Sequence, residues 1–368
     1  MNNPFVVSGV VDDPSFCNRQ KEQADLKQHI ENSQNVLIYS HRRLGKTSLI
    51  LKVFNSLKNG RNITPVYVDL YGTTSIEGFI RAFVKSLSTI EPKRSRFLKL
   101  IAEKLSNFSV SFGFDPISQL PNIGVSFDRQ PAAIEMEAIF QLAKTLAGKK
   151  KIVIAFDEFQ EIAGYGTDTF EKDLRKIIQH HKNISYIFSG SQRHIIADMF
   201  NDSKRAFYQM AISMPLTGIS TEDYIDWISD LFDQAGKEIE ESAIIDIADR
   251  CDNHPKYVQE FCYTLWIAQH IGLGEINAVE NEIIQKRSTE FTHIWDSLTL
   301  NQKKTLKLIT AEKGAQALTA GKLSKFKFKT ASQVMAAIKV LEQRELICKN
   351  GDYHIYDPLF RRWVQRLI

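Results

Sequence analysis

Cysteine is scarce in this chain of 368 residues: there are four, Cys17, Cys251, Cys262 and Cys348, far apart and without CxxC spacing. That argues against a disulfide frame and against a zinc site, and it suits free thiols in a reducing, cytoplasmic setting. Long apolar runs are missing too. No window reaches the roughly 18 uninterrupted apolar residues of a membrane span, so no membrane partner is expected. The opening MNNPFVVSGVVDDPSF has neither a basic start nor a long apolar segment, and does not read as a secretory signal. Internal repeats and low-complexity tracts are also lacking. The composition, 43% hydrophobic and 24% charged, is that of an ordinary globular protein and excludes general disorder. The length suggests two or three domains.

The net charge is only +4, but it is unevenly spread. Residues 298–368 hold 14 Lys or Arg against 5 Asp or Glu, whereas residues 1–297 are net acidic. A basic segment of that kind suits a separate domain with an anionic partner, or a solvated basic surface.

Four short, β-rich apolar runs lie between helical patterns: residues 35–40, 64–70, 151–159 and 184–190, followed by a fifth at 211–218. Near-continuous hydrophobicity over such lengths predicts strands buried on both faces of a parallel sheet. Helix-spaced apolar residues fill 47–58, 75–90 and 132–148. The expectation is an α/β core over 1–217. Within it, the alternation of Val110, Phe112, Phe114 and of Ile123, Val125, Phe127 predicts an inserted β-hairpin at about 108–128, serving as an edge ribbon. Residues 218–296 read as an all-helical lid opened by a Ser220/Asp223 capping pair. Residues 297–368 read as three short helices and a hairpin with a type I′ turn at Asn350-Gly351, the pattern of a winged-helix domain.

The chemistry concentrates at two strand tips. Directly after NVLIY comes SHRRLGKTS, residues 40–48, which matches G-x-x-x-x-G-K-[ST] except that Ser40 replaces the first Gly. A loop between a buried strand and a helix presents backbone N–H groups and the helix dipole to phosphates. Gly45 permits close approach, Lys46 neutralises the β- and γ-phosphates, and the Thr47 hydroxyl ligates Mg²⁺. Arg43, Leu44 and Ser48 complete the cradle, Arg43 being the candidate for a phosphate-proximal contact. Ser40 is small enough to predict weakened geometry at worst. The second tip is KIVIAFDEF, ending in Asp157-Glu158. Asp157 would hold the Mg²⁺ shell and Glu158 would polarise the attacking water. That Glu, and the lack of an N-K-x-D guanine-reading element, favour ATP over GTP. Arg42, Arg193 and Arg205 are nearby arginines, with surface ion pairs as the simpler reading of the last two. His180-His181 have no third ligand at metal spacing and read as surface or interface residues.

With these motifs, the blocks FCNRQKEQADL, YIFSGSQ, CDNHPKYVQEFC and YDPLFRRWV make the whole chain resemble the archaeal-type ATPase family. That family sits near the signal-transduction ATPases with numerous domains (STAND), within the wider AAA+ group. The resemblance implies a P-loop core with an extra strand between the phosphate-loop and Asp-Glu strands, then a helical lid and a winged helix. It also implies that Phe16–Arg19 with Glu22 lie near the adenine and that Ser191 is a sensor touching the γ-phosphate or the water. His254-Pro255 would be the lid motif that packs on the nucleotide, with Asn253 where Gly is usual.

Three functions follow. The preferred one is a slow, Mg²⁺-dependent ATPase switch that repositions its winged helix. The others are a DNA-associated ATPase gripping duplex through Lys322, Lys325, Lys327 and Lys329, and a low-turnover nucleotide-binding regulator of a protein partner. Self-association into a homo-oligomer also stays open.

Overall fold

Runs rich in Val, Ile and Phe lose little by being extended and gain by burying both faces, and five of them here form one parallel sheet. The computed structural model describes residues 2–11, 14–58, 60, 62–91, 94–104, 108–114, 121–127, 133–166, 168–312 and 320–368. Its contacts divide the chain into two units: Arg19–Thr217, and Met1–Asn18 together with Gly218–Ile368.

In the first unit, α1 (Gln20–Glu31) leads to β1 (Val36–Tyr39), α2 (Lys46–Lys58) and β2 (Ile63–Asp69). Next come α3 (Ile76–Leu87), α4 (Arg94–Lys104), β3 (Phe108–Phe114), β4 (Pro121–Phe127) and α5 (Ala133–Ala147). The unit closes with β5 (Lys151–Asp157), a 3-10 turn over Phe159–Gly164, α6 (Asp168–Gln179), β6 (Ile184–Gly190), α7 (Arg193–Asn201) and β7 (Ile212–Pro215). The strand order is β2-β5-β6-β1-β7 with every pairing parallel. β6 thus stands between the strand that feeds the phosphate loop and the strand that ends in Asp157. Register sets Asp69 beside Asp157 and Tyr39 beside Gly190, so these strands end along one edge of the sheet.

The core beneath that edge is aromatic. Phe79, Phe83, Phe140, Phe156, Phe159, Phe188 and Phe207 are all fully buried, and the rings of Phe159 and Phe188 are 4.7 Å apart. Burying each such ring contributes about 2–3 kcal/mol, which anchors the strand tips from below. The inserted hairpin forms, with Val110 opposite Val125, but it differs from the expected edge ribbon. Among the described residues β3 and β4 make a two-stranded sheet of their own and do not extend the main one. Alternating polarity is enough for a hairpin; joining a sheet edge also needs the connections to deliver the ribbon alongside it.

The second unit holds α8 (Thr221–Gln234), β8 (Glu238–Ile239), α9 (Glu241–Arg250), α10 (Pro255–Leu265), β9 (His270–Ile271), α11 (Leu273–Lys286) and α12 (Ser288–Asp296). After these come α13 (Leu300–Ala311), α14 (Ala320–Lys325), α15 (Ala331–Gln343), β10 (Ile347–Asn350), β11 (Asp352–Ile355) and α16 (Pro358–Gln365). Ser220 caps α8 by accepting from the Asp223 amide at 3.1 Å. Residues 218–296 are helical except for the two-residue parallel pair β8–β9, so the expected all-helical lid carries a short strand pair. Phe5 of the N-terminal segment packs here, with its ring 5.3 Å from Trp227 and 5.7 Å from Trp266. The hairpin tip departs from the type I′ expectation. Lys349 lies opposite Tyr353 and Asn350 opposite Asp352, leaving Gly351 alone at the tip with φ 75°. A two-residue turn would set Lys349 opposite Asp352; the register is shifted by one, and glycine supplies the positive φ. Among the described residues, no helix is long and apolar enough to cross a membrane.

Candidate functional site

β1 ends at Tyr39 and α2 begins at Lys46, so residues 40–45 form a loop leading into a helix N-terminus, where backbone N–H groups have no partners inside the helix. Gly45 has φ 88° and Arg43 φ 64°. Such positive values curl the chain around a small space, and only glycine adopts them without strain. Lys46 is buried, and its ammonium donates to the Ser40 hydroxyl at 3.1 Å, the His41 carbonyl at 3.2 Å and the Ser40 carbonyl at 3.4 Å. The Ser40 hydroxyl donates to the His41 carbonyl at 2.8 Å. The residue that departs from the phosphate-loop pattern therefore helps to hold the loop's lysine.

Arg19 braces the loop from behind. Its buried guanidinium donates to the Leu44 carbonyl at 2.9 Å and the Thr217 carbonyl at 2.8 Å, and pairs with Glu22 at 2.9 Å. Arg42 and Arg43 are exposed, while Leu44 and Ser48 are buried.

The acidic tip meets this loop. Thr47 Oγ1 donates to Asp157 Oδ2 at 2.6 Å, and Tyr67 donates its phenol to the same oxygen at 2.7 Å. The Glu158 backbone amide donates to Asp157 Oδ1 at 3.1 Å. Burial, reinforced by the Asp157 charge, pushes the Tyr67 hydroxyl well above its ordinary range, so it stays protonated and donates. Glu158 occupies the left-handed region at φ 51°, an uncommon conformation for a side-chain-bearing residue. Its Oε2 accepts from Ser191 Oγ at 2.8 Å and from Gln160 Nε2 at 2.5 Å. Glu161 adds a further carboxyl, raised above its usual range by burial first and then by Glu158, with Arg42 opposing the shift.

Lys46, Thr47, Asp157, Glu158 and Ser191 therefore belong to one edge of the first unit, delivered by β1, β5 and β6. Pro255 belongs to the second unit, where it opens α10 behind His254, whose Nδ1 caps the Lys256 amide at 3.3 Å. Arg205 is paired with Glu171, and His181 bonds to the Tyr186 hydroxyl at 2.6 Å. The Arg193 side chain lies outside the described residues. Tyr67 and Gln160 escaped sequence reasoning. Tyr67 sits in the alternation of a strand and reads as packing, and Gln160 follows the acidic pair on a turn whose direction no local pattern gives.

A cation at this edge would meet hard, oxygen-only ligands. Thr47 and Asp157 supply oxygens suited to Mg²⁺. Among the described residues there is no group of three or more His, Cys, Asp or Glu able to hold a metal ion, so an ion here would take its other ligands from phosphate and water.

A family model described as an ATPase domain predominantly from Archaea matches residues 16–261. The chain belongs to this ATPase family. A second model, for a probable winged helix domain, matches residues 289–366 of the ATPase. Among solved structures, the Walker-type ATPase of Pyrococcus abyssi aligns at a TM-score of 0.68 and 17% identity, over 98% of this chain and 99% of its own. The ORC2 protein of Aeropyrum pernix, solved as ADPNP–ADP complexes, aligns at 0.58 and 13%, over 97% and 96%. At such identities the likeness speaks for the fold: an α/β P-loop core with a C-terminal winged helix. A search of curated proteins gave no match.

Proposed function

We propose that this ATPase binds ATP with Mg²⁺ at the first unit's sheet edge and hydrolyses it slowly, as a switch that moves the winged helix. The observation that carries this reading is the 2.6 Å bond between Thr47 and Asp157, which brings the phosphate loop and the acidic tip to one place. Lys46 would exchange its Ser40 and His41 partners for β- and γ-phosphate oxygens. Arg43, Leu44, Gly45 and Ser48 shape the cradle, and Arg19 acts through its hold on the Leu44 carbonyl. Thr47 and Asp157 would hold Mg²⁺, which supplies positive charge to the phosphates as the transition state develops. Glu158 polarises the water, and Ser191 steadies Glu158 and reports on the γ-phosphate.

A link inside the second unit supports the switch. His254 Nε2 is 2.7 Å from the Tyr356 hydroxyl, and Arg361 makes two 2.8 Å bonds to Asp252. The proposed lid motif, Pro255 included, is thereby tied to the segment that follows the wing. Steady-state turnover by wild type and by Glu158→Gln tests the hydrolysis claim. The variant should lose about 10²-fold or more in kcat while still binding nucleotide; equal rates would remove the claim.

A second reading, duplex association, rests on Lys327, Lys329 and Lys339, all exposed around α15. Gln333 is committed to the backbone, accepting from the Lys329 amide at 3.1 Å, so few groups are left to read base edges. Any such binding would be insensitive to sequence and weakened by salt. Gel filtration with and without nucleotide and duplex would separate DNA association from self-association, or from a protein partner alone.

A further inference from the structure

We infer that Gln160 is a positioning residue for ATP hydrolysis, fixing the orientation of the Glu158 carboxylate; this rests on the reading of Glu158 as the group that polarises water. Gln160 lies on the 3-10 turn directly after β5 and is buried to 4% exposure, uncommon for a glutamine and costly unless its amide is used. Its Nε2 donates to Glu158 Oε2 at 2.5 Å. The amide must face this way, because its oxygen would repel the carboxylate. The other end, Oε1, is buried with no hydrogen-bond partner among the described residues. Packing, not a second bond, therefore holds the side chain.

Gly190 shows how tight that packing is. A Cβ added there would stand 2.3 Å from Gln160 Oε1 and 2.7 Å from Ile196 Cδ1. The last residue of β6 must be glycine for the Gln160 amide to lie across it. Immediately after it, Ser191 donates to the same Glu158 oxygen at 2.8 Å. Three donors from two segments thus converge on Oε2, the Ser191 amide also reaching it at 3.4 Å, and together they fix the rotation of the carboxylate. Glu158 Oε1 would then be the oxygen that accepts from water. A neutral amide does this without adding charge.

The test compares wild type, Gln160→Met (an unbranched chain of similar length without the donor), Gln160→Leu, Glu158→Gln and the double variant Gln160→Met/Glu158→Gln. Single-turnover and steady-state hydrolysis are measured with Mg²⁺-ATP, and nucleotide Kd by calorimetry. The expected result is a kcat about 10- to 100-fold lower in both single Gln160 variants with KM and Kd unchanged. In the Glu158→Gln background, Gln160→Met should cause no further loss. Three results would overturn the inference: wild-type kcat in the Gln160 variants beside an impaired Glu158→Gln, which leaves the Glu158 reading intact; an equal fractional loss in both backgrounds; or a rise in Kd matching the fall in rate. Wild-type turnover by Glu158→Gln would remove the underlying reading, and the inference with it.

Discussion

The two charged regions of this molecule are built on opposite terms. At the sheet edge of the first unit, charges are buried or half-buried and answered within the unit: Lys46 by Ser40 and His41, Asp157 by Thr47 and Tyr67, and the half-buried Glu158 by Gln160 and Ser191. Around α15, Lys327, Lys329 and Lys339 stand in solvent, and among the described residues the half-buried Lys322 and the exposed Lys325 share Glu312. Buried ionic groups cost folding energy unless every partner is provided, so such a cluster is retained where its chemistry is used. Exposed lysines cost the fold almost nothing, and their purpose has to be sought outside the chain. The first region therefore suits the proposed reaction, and the second either the proposed duplex association or a solvated basic surface.

The largest test of this contrast is Lys46→Ala. It should weaken nucleotide binding by about 10²-fold or more, since in the proposed site the lost buried cation would have met the phosphates through charge-assisted bonds. Calorimetry with Mg²⁺-ATP measures this, and circular dichroism should show an unchanged fold. Next, Phe156→Ala should destabilise the first unit by about 3–5 kcal/mol in urea denaturation, because the fully buried ring packs 5.3 Å from Phe79 and 5.6 Å from Phe83. A smaller loss would mean that the aromatic layer relaxes and does not fix the strand tips. Replacing Lys327, Lys329 and Lys339 by Ala should leave stability within about 0.5 kcal/mol per site. The same change should lower the salt dependence of duplex binding by about 0.9 per lysine that contacts phosphate. Filter binding at several salt concentrations decides this, and an unchanged slope would exclude α15 from any DNA contact.

The smallest effect concerns pH. Burial, then nearby Lys144, pushes the His181 imidazole down to about 4, against the opposing pull of Glu137. In the unfolded chain it takes up a proton near pH 6.5. The folded state resists protonation, so this contribution to stability is complete above about pH 6.5 and is lost as the pH falls towards 4. Denaturation midpoints at pH 7 and 4.5 should converge less for wild type than for His181→Phe, which has no proton to take up.

Much of the first region was legible before folding. Gly45-Lys46-Thr47 and Asp157-Glu158 each follow a buried strand, and both motifs are local: their residues act where their own strand ends. The hairpins were legible too, since alternation specifies pairing, but the shift at Gly351 was not, because one residue of register depends on side-chain packing around the turn. Nor was the separation of β3–β4 from the main sheet.

From its sequence alone, this protein was bound to make a phosphate loop, an acidic strand tip and a basic C-terminal segment, because each depends on neighbouring residues and on burial of short apolar runs. Only the tertiary structure decided that β6 enters between β5 and β1, bringing Ser191 to Glu158, and that β2 pairs with β5 in the register that aims Tyr67 at Asp157. It also decided that Gln160 turns back on Glu158 across Gly190. Strand order and register are set by contacts between segments distant along the chain, and the partners of a buried carboxylate are settled by those contacts and not by its neighbours in sequence.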